Sequence, residues 1–386
     1  MDWYTVSVAV FILLLICILY KDRKNISRQS VLILRRTERG KGFLLQLGRR
    51  FPQFWKSLGT LGVCTGFFMS GYIVYYLFNL LIKNLTAKEA VQGLALVLPS
   101  PSQETVVLPG VMGIPFWYWI ISISLLVIVH EGMHGLMAAS ERVRIKSLGW
   151  GLLAVIPLAF VEPDEKQLER KKPLSQLRVF AAGSFANFLL AGFTLLITIL
   201  LSSYLFFPGG VAYKGLIEGY PAAEVNLTGV ITKIDNYNIT TVEDLRDALS
   251  VIGPNKTITI YTFVNANGSE NYLNFTLTTA ADPDNKSRGF IGIAGVIQFS
   301  KLKPEYRSYS EFINFLGGLL FYIFLINFGV GAANLMPIMP LDGGRMWKIV
   351  LKKYIPKKSD TIMKALSTAT LLLVLLNFGT FLKGIF

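Results

Sequence analysis

The chain is short of the side chains that do most chemistry near neutral pH. Among its 386 residues only two are histidine and two are cysteine, and Asp plus Glu number 24 against 38 Lys plus Arg. The cysteines, Cys17 and Cys64, both lie inside apolar runs, which excludes a disulfide framework and a Cys-x-x-Cys metal site. Charge is scarce as well: 16% of residues are charged and 52% are hydrophobic, where a soluble globular domain carries about 25% charged residues. That deficit excludes an ordinary soluble protein and points to several crossings of a lipid bilayer. The net charge of +14 raises nucleic acid as a partner, but such a partner needs a basic soluble domain, and the sequence contains none.

Long apolar runs are what the chain has in place of charge. A crossing helix needs about 20 mostly apolar residues. Six stretches qualify: Trp3–Tyr20, Ser57–Ile82, Ile114–Ser140, Phe180–Phe207, Phe312–Met336 and Ile362–Phe386. The first follows Asp2 rather than a basic segment and is not followed by a small-residue cleavage site, so it reads as an uncleaved helix and not as a leader. The basic residues collect in alternate loops. Residues 21–56 carry Lys21, Arg23, Lys24, Arg28, Arg35, Arg36, Arg39, Lys41, Arg49, Arg50 and Lys56 against only Asp22 and Glu38. The loops after the third and fifth spans are also basic, whereas 208–308 holds nine Lys/Arg and ten Asp/Glu. The positive-inside rule then predicts an extracytosolic N-terminus and an extracytosolic 208–308. Asn-x-Ser/Thr sequons agree: Asn226, Asn238, Asn255, Asn267, Asn274 and Asn285 all fall in that segment, and Asn84 falls in the other outer loop. Asn25 lies on the cytosolic side and reads as a chance match.

Residues 208–300 are the one long stretch without a membrane signature. Gly229–Ile234 and Thr257–Phe263 alternate as short strands, and Thr241–Leu249 reads as a helix with Thr241 at its N-cap and Asp244 three residues on. The run Gly219-Tyr-Pro-Ala-Ala223, Gly229-Val-Ile231 and Ile234-Asp-Asn236 resembles a PDZ domain, although Tyr237 stands where that family often has glycine. The resemblance implies a small α/β domain that binds or screens peptides; a β-rich domain without a peptide role is the plainer reading. The apolar segment Leu148–Phe160 is too short to span and reads as re-entrant or membrane-facing β-structure.

Both histidines of the chain sit in His130-Glu131-Gly132-Met133-His134. Residues four apart share a helix face, so both imidazoles can ligate one Zn²⁺ while the adjacent glutamate serves as general base. Two satisfied core histidines would not explain why the entire histidine content falls at ligand spacing around a glutamate. Ionisable groups at lipid depth are costly and usually functional. A catalytic zinc takes three protein ligands, and the third here must be an acid near membrane depth: Asp342, Glu162 or Asp164. Asp342 follows two helix-breaking prolines in Asn334-Leu-Met-Pro-Ile-Met-Pro-Leu-Asp342-Gly-Gly-Arg345. His130 lies roughly 24 Å along its span at 1.5 Å per residue, which places both halves of the site toward the cytosolic side.

Together, His-Glu-x-x-His in one span and Asn-x-x-Pro-x-x-Pro-Leu-Asp-Gly in a later one resemble the site-2 protease family of intramembrane metalloproteases, over about residues 114–350. The resemblance implies zinc on His130, His134 and Asp342, Glu131 as the base, and a role for Asn334 in holding the substrate strand. Gly183-Ser-Phe-Ala-Asn187 matches a family element in the fourth span and implies a second substrate contact at Asn187, with helix packing as the alternative. It also implies a polytopic α-helical fold of about six spans with one inserted α/β PDZ-like domain. Residues 1–113 form a two-span extension with a basic loop, 114–207 and 301–386 form the two halves of the catalytic core, and 208–300 form the inserted domain. The expected activity is regulated intramembrane proteolysis of single-span proteins already shortened by another protease, with the bilayer as surroundings and no nucleic acid. Two rivals are a catalytically silent adaptor that binds peptides, which would have no need of Glu131, and a zincin acting on soluble peptides, which would hold its motif outside lipid.

Overall fold

The computed structural model describes residues 3–23, 26–29, 32–86, 93–153, 156–266 and 269–382. The sequons at Asn25 and Asn267 and the last residues of the sixth predicted span lie outside the described residues. From the N-terminus, α1 (Trp3–Lys21) leads to β1 (Ile26–Gln29), β2 (Leu32–Thr37), α2 (Lys41–Arg50) and α3 (Pro52–Thr86). Next come β3 (Leu96–Ser100), β4 (Val106–Leu108), β5 (Val111–Pro115) and α4 (Phe116–Ser140). They are followed by β6 (Ile145–Leu153), β7 (Ile156–Pro163), α5 (Glu165–Glu169) and α6 (Pro173–Leu205). The chain continues through β8 (Phe206–Ala212), β9 (Gly215–Leu216), α7 (Pro221–Glu224), β10 (Val230–Ile234), β11 (Tyr237–Asn238) and α8 (Val242–Ile252). Then follow β12 (Thr257–Ala266), β13 (Ser269–Thr278), β14 (Ala280–Ala281), β15 (Gly289–Phe290), β16 (Ile293–Ala294) and β17 (Ile297–Leu302). Helices α9 (Ser310–Asn334), α10 (Asp342–Tyr354) and α11 (Ser359–Leu382) come last.

Six helices, α1, α3, α4, α6, α9 and α11, are long and apolar enough to cross a membrane, and the protein is a multi-pass membrane protein. Several run past the predicted spans. Pro52 and Pro173 occupy the first positions of α3 and α6, where a missing N–H costs nothing and a fixed φ suits the helix. The burial pattern is that of a lipid-facing bundle. Phe193, Leu196, Ile199 and Leu200 of α6 are exposed, while Ser122, Ser184, Asn187 and Asn327 are fully enclosed. Polar groups are kept for helix–helix contact, as hydrocarbon surroundings require.

The described residues divide into two compact units, Met1–Thr198 with Phe315–Phe386, and Ile199–Asn314. In the first, the N-terminal region is built into the helices that carry the histidine motif. Gly48 of α2 packs on the last turn of α4, where a Cβ would come within 2.7 Å of Ala139 Cβ and the Leu136 carbonyl. Gly62 of α3 meets Phe185 of α6 in the same way. At the end of α4 the buried carboxylate of Glu141 accepts a hydrogen bond from Arg178 Nη1 at 2.9 Å and lies 3.7 Å from Lys56 Nζ. Arg178 Nε in turn donates to Thr60 Oγ1 at 3.0 Å. One carboxylate thereby ties α3, α4 and α6 together.

The expected α-helical fold of this unit needs correction in its sheet content: beside the β-structure expected at Leu148–Phe160, the unit contains strands from the N-terminal region, in two sheets. Leu148–Phe160 lies in the β6–β7 hairpin, and the order β1-β2-β6-β7 is antiparallel throughout. The physical reason is that non-helical backbone near lipid must still pair its N–H and C=O groups. Here the partners come from the loop after α1. Gly149 and Gly151 admit β2, since a Cβ at either would collide with the carbonyls of Arg35 and Ile33. A second sheet, β3-β5-β4, precedes α4.

The second unit has a five-strand path, β13-β12-β10-β8-β17, with β11 paired to β10. Its core joins Ile231 and Ile234 of β10, Ile258 and Ile260 of β12, and Leu245, Ala248 and Leu249 of α8. Ile258 and Ile260 keep the period-2 pattern, while a register irregularity between Ile231 and Lys233 brings Ile231 and Ile234, three apart, to the same core. Helix α8 starts with a complete capping box between Thr241 and Asp244. The Thr240 hydroxyl, followed by the backbone N–H groups of Thr241 and Thr240, holds the Asp244 carboxyl down to about 2. Asp235 and Asn236 form a two-residue turn that pairs Ile234 with Tyr237, and Asp235 takes the left-handed conformation at φ 47°.

Candidate metal centre

Helix α4 carries His130 and His134 on one face, one turn apart. Their Nε2 atoms are 3.2 Å apart. Asp342 arrives from the other end of the unit. After α9 ends at Asn334, the chain doubles back, with Leu335 N–H donating to Ala332 O, Ile338 N–H to Met336 O and Leu341 N–H to Ile338 O. Gly343 and Gly344 are required by this return, because a Cβ at either would strike the carbonyls of Leu335 or Ile338. The turn aims Asp342, the first residue of α10, at the histidines. Its Oδ2 is 3.3 Å from both Nε2 atoms.

These three spacings decide the fit to a metal. Four ligands at about 2.0–2.1 Å around a tetrahedral zinc stand roughly 3.3 Å from one another, and the three donor atoms stand 3.2, 3.3 and 3.3 Å apart. Asp342 Oδ2 is buried and has no hydrogen-bond partner among the described residues, which is costly unless a cation takes the lone pair. His134 Nδ1 lies 2.7 Å from the Val179 carbonyl. A carbonyl has no proton, so Nδ1 carries it and Nε2 is left bare, as a ligand must be. His130, His134 and Asp342 are the group that could hold a metal among the described residues. The residues fit a zinc ion.

Behind the ligands, α6 comes close enough that Gly183 faces both rings; a Cβ there would collide with His134 Nε2 and lie 2.7 Å from His130 Nε2. Asn187, one turn further along, is fully buried with Nδ2 3.0 Å from His130 Nδ1. In front of the ligands is a cavity of about 570 Å³ bounded by α4, β7, Phe180, Asn334 and the Pro340–Asp342 turn. Glu131 lines it, with Oε2 accepting from Val161 N–H of β7 at 3.2 Å. Asn334 lines it from the end of α9. The other two acids considered as ligands are engaged elsewhere. Glu162 Oε2 accepts from Ser147 Oγ at 2.7 Å, and Asp164 Oδ1 caps α5 by accepting from Gln167 N–H at 3.1 Å.

Sequence reasoning passed over three participants. The Val179 carbonyl and the Val161 N–H are backbone groups and leave no mark in residue identity. Arg345 lines the cavity, donates to the Pro340 carbonyl at 3.2 Å and stacks on Phe180; it was legible only as the residue closing the Asp-Gly-Gly-Arg run.

Two facing histidines on the apolar helix α4, a carboxylate at tetrahedral spacing at the start of α10 and a glutamate beside the first histidine make up a candidate metal centre. The sequence profile of peptidase family M50 matches residues 118–377, and the chain belongs to that family, the site-2 proteases. It is 28% identical over 370 residues to an uncharacterized protein of Methanocaldococcus jannaschii, covering 94% of this chain and 90% of that one. It is 22% identical over 274 residues to a protein of Staphylococcus aureus named "Putative zinc metalloprotease", covering 57% of this chain and 62% of that one. The membrane and zinc-metalloprotease character of the family accord with the six apolar helices and the ligand triad.

Proposed function

We propose that this protein is an intramembrane zinc endopeptidase that cuts single-span membrane proteins in or beside their transmembrane helix, after another protease has shortened them. The observation that carries this reading is the tetrahedral spacing of His130, His134 and Asp342, with Glu131 in the same cavity. The Staphylococcus aureus relative's name, a zinc metalloprotease, supports it. Zinc bound there supplies Lewis-acid polarisation of a peptide carbonyl and acidification of a water. Glu131 does the proton work. Val161 N–H holds Oε2, which leaves Oε1 to take a proton from the attacking water and return it to the departing amine.

A helical substrate hides its carbonyls in backbone hydrogen bonds, so it must unwind before it can react. Strand β7 is the last of its sheet and its residues line the cavity; its outer edge suits an extended peptide. Asn334 offers a side-chain partner at the other wall. The topology we propose puts the N-terminus and residues 208–308 outside the cytosol. The pairing of β2 with β6 supports it, because two loops that share a sheet must lie on one face of the membrane, and both are basic. The outer unit is PDZ-like in this reading and screens peptides.

Purified Glu131→Gln protein should bind zinc as the wild type does and lose cleavage of a model single-span substrate by about 10²–10⁴-fold, the usual contribution of a general base. Asp342→Ala should lose zinc as well as cleavage, read by metal analysis after dialysis. Full zinc and full cleavage in Asp342→Ala would remove Asp342 from the ligand set and bring Glu162 forward.

A further inference from the structure

We infer that Asn187 is a positioning residue for the ligand His130, its side-chain carbonyl accepting the Nδ1 proton so that Nε2 presents a bare lone pair to the metal. The inference rests on the zinc reading and takes Asn187 in a different direction from the substrate contact expected from sequence.

The argument begins with the other histidine. His134 Nδ1 faces the Val179 carbonyl at 2.7 Å, which fixes the ligand tautomer without further help. His130 needs the same proton placement, and the group opposite its Nδ1 is the Asn187 amide at 3.0 Å. An amide can present either end, because its oxygen and nitrogen are alike in shape and only the hydrogen-bond network distinguishes them. With nitrogen toward His130, Nδ1 accepts and the imidazole proton sits on Nε2, aimed at His134 Nε2 3.2 Å away and at Asp342 Oδ2 3.3 Å away. That arrangement cannot take a cation. With oxygen toward His130, Nδ1 donates, and three bare donor atoms converge. No hydrogen bond holds the first orientation at the other end of the amide, since Asn187 Oδ1 is buried with no partner among the described residues.

Place agrees with this chemistry. Asn187 is fully enclosed, sealed on its far side by α9, where a Cβ on Gly331 would come within 3.2 Å of Asn187 Cβ. The residue is one helical turn from Gly183, which clears room for the same two rings. The Gly183–Asn187 element therefore does two jobs on one face of α6: the glycine admits the imidazoles and the asparagine sets one of them. Partners of this kind on a ligand histidine usually carry a 10–100-fold effect on metal affinity.

The chain's two histidines make the test direct. In ¹⁵N-histidine-labelled, zinc-loaded protein in nanodiscs, the His130 Nδ1 proton should be shifted downfield and protected from exchange. Zinc affinity, measured by competition with a chromophoric chelator, should fall about 10–100-fold in Asn187→Leu and hold in Asn187→Asp, which keeps an acceptor. Equal affinity of wild type and Asn187→Leu, equal losses in the Leu and Asp variants, or a freely exchanging Nδ1 proton in the wild type would each overturn the inference. The last readout needs no variant to fold. Wild-type protein that takes up no zinc would overturn the metal reading along with it.

Discussion

Gly183 stands where α6 touches both ligand rings, and any side chain there meets His134 Nε2 and His130. Inside a helix, Gly→Ala normally stabilises by about 1 kcal/mol. At this position the methyl group competes for the space of the imidazoles themselves. Gly183→Ala should therefore keep its helix content while losing zinc stoichiometry, and its thermal transition should hold or fall, because the overpacked methyl group offsets the helix gain. Circular dichroism and metal analysis of one sample read both; wild-type zinc content in the variant would show that α6 can retreat at no cost. The same residue marks how far sequence reasoning reaches. His130, Glu131 and His134 are legible because histidine is so rare in the chain that its clustering carries meaning. Gly183 and Asn187 are legible as a spaced pair, but their task is not, because it depends on which ring nitrogen faces which helix. That is set by the rotation of α6 against α4, which no local pattern encodes.

At the level of elements, the end of α4 is anchored by Glu141, whose buried carboxylate answers Arg178 of α6 and faces Lys56 of α3. Removing the carboxylate costs less than the ~3–5 kcal/mol of a fully buried pair, because Arg178 and Lys56 keep part of their solvent contact, yet more than an exposed bridge is worth. Glu141→Ala should clearly lower the thermal transition of the detergent-solubilised protein, whereas Asp360→Ala, which breaks the exposed bridge to Lys348, should leave it nearly unchanged. Equal shifts in the two variants would contradict the burial argument. Elements also differ in how plainly they announce themselves. The six long helices are evident from apolar length, and the strands of the unit Ile199–Asn314 from alternation beside a Thr-x-x-Asp cap. The four-stranded sheet is only half evident: Leu148–Phe160 reads as β-structure, but neither its pairing nor its partner strands can be read. Leu148–Phe160 is apolar on both faces and so has no period, and its partner β2 lies more than a hundred residues earlier in a run that reads only as basic. Charge assigned that loop to a side of the membrane and masked that it was also a strand.

For the whole molecule, the consequential feature is a folded unit, Ile199–Asn314, carried between two spans on the chain that also holds the metal centre. If that unit lies outside the cytosol, it is tethered at both ends to the membrane surface on the side from which a substrate's outer domain projects. A bulky outer domain would then be excluded and a trimmed stub admitted. The placement is tested first, in a background lacking Cys17 and Cys64. Lys286→Cys should react with an impermeant maleimide on intact cells, and Arg39→Cys only after permeabilisation; labelling of Arg39→Cys from outside would reverse the topology. The gate is tested by excision. Ala212 of β8 pairs with Ile297 of β17, so residues 213–296 can be replaced by a two-residue turn that leaves this strand pair closed. Reconstituted intact protein should cut a trimmed single-span substrate at least roughly tenfold faster than the same substrate with its outer domain, the factor that about 1.4 kcal/mol of exclusion supplies. The excised protein should cut both at similar rates, because the chemistry of His130, Glu131, His134 and Asp342 belongs wholly to the other unit. Equal cleavage of the two substrates by the intact protein would refute the gate while leaving the protease reading standing. A cut mapped to the outer side of the membrane would refute the depth assigned to the metal centre.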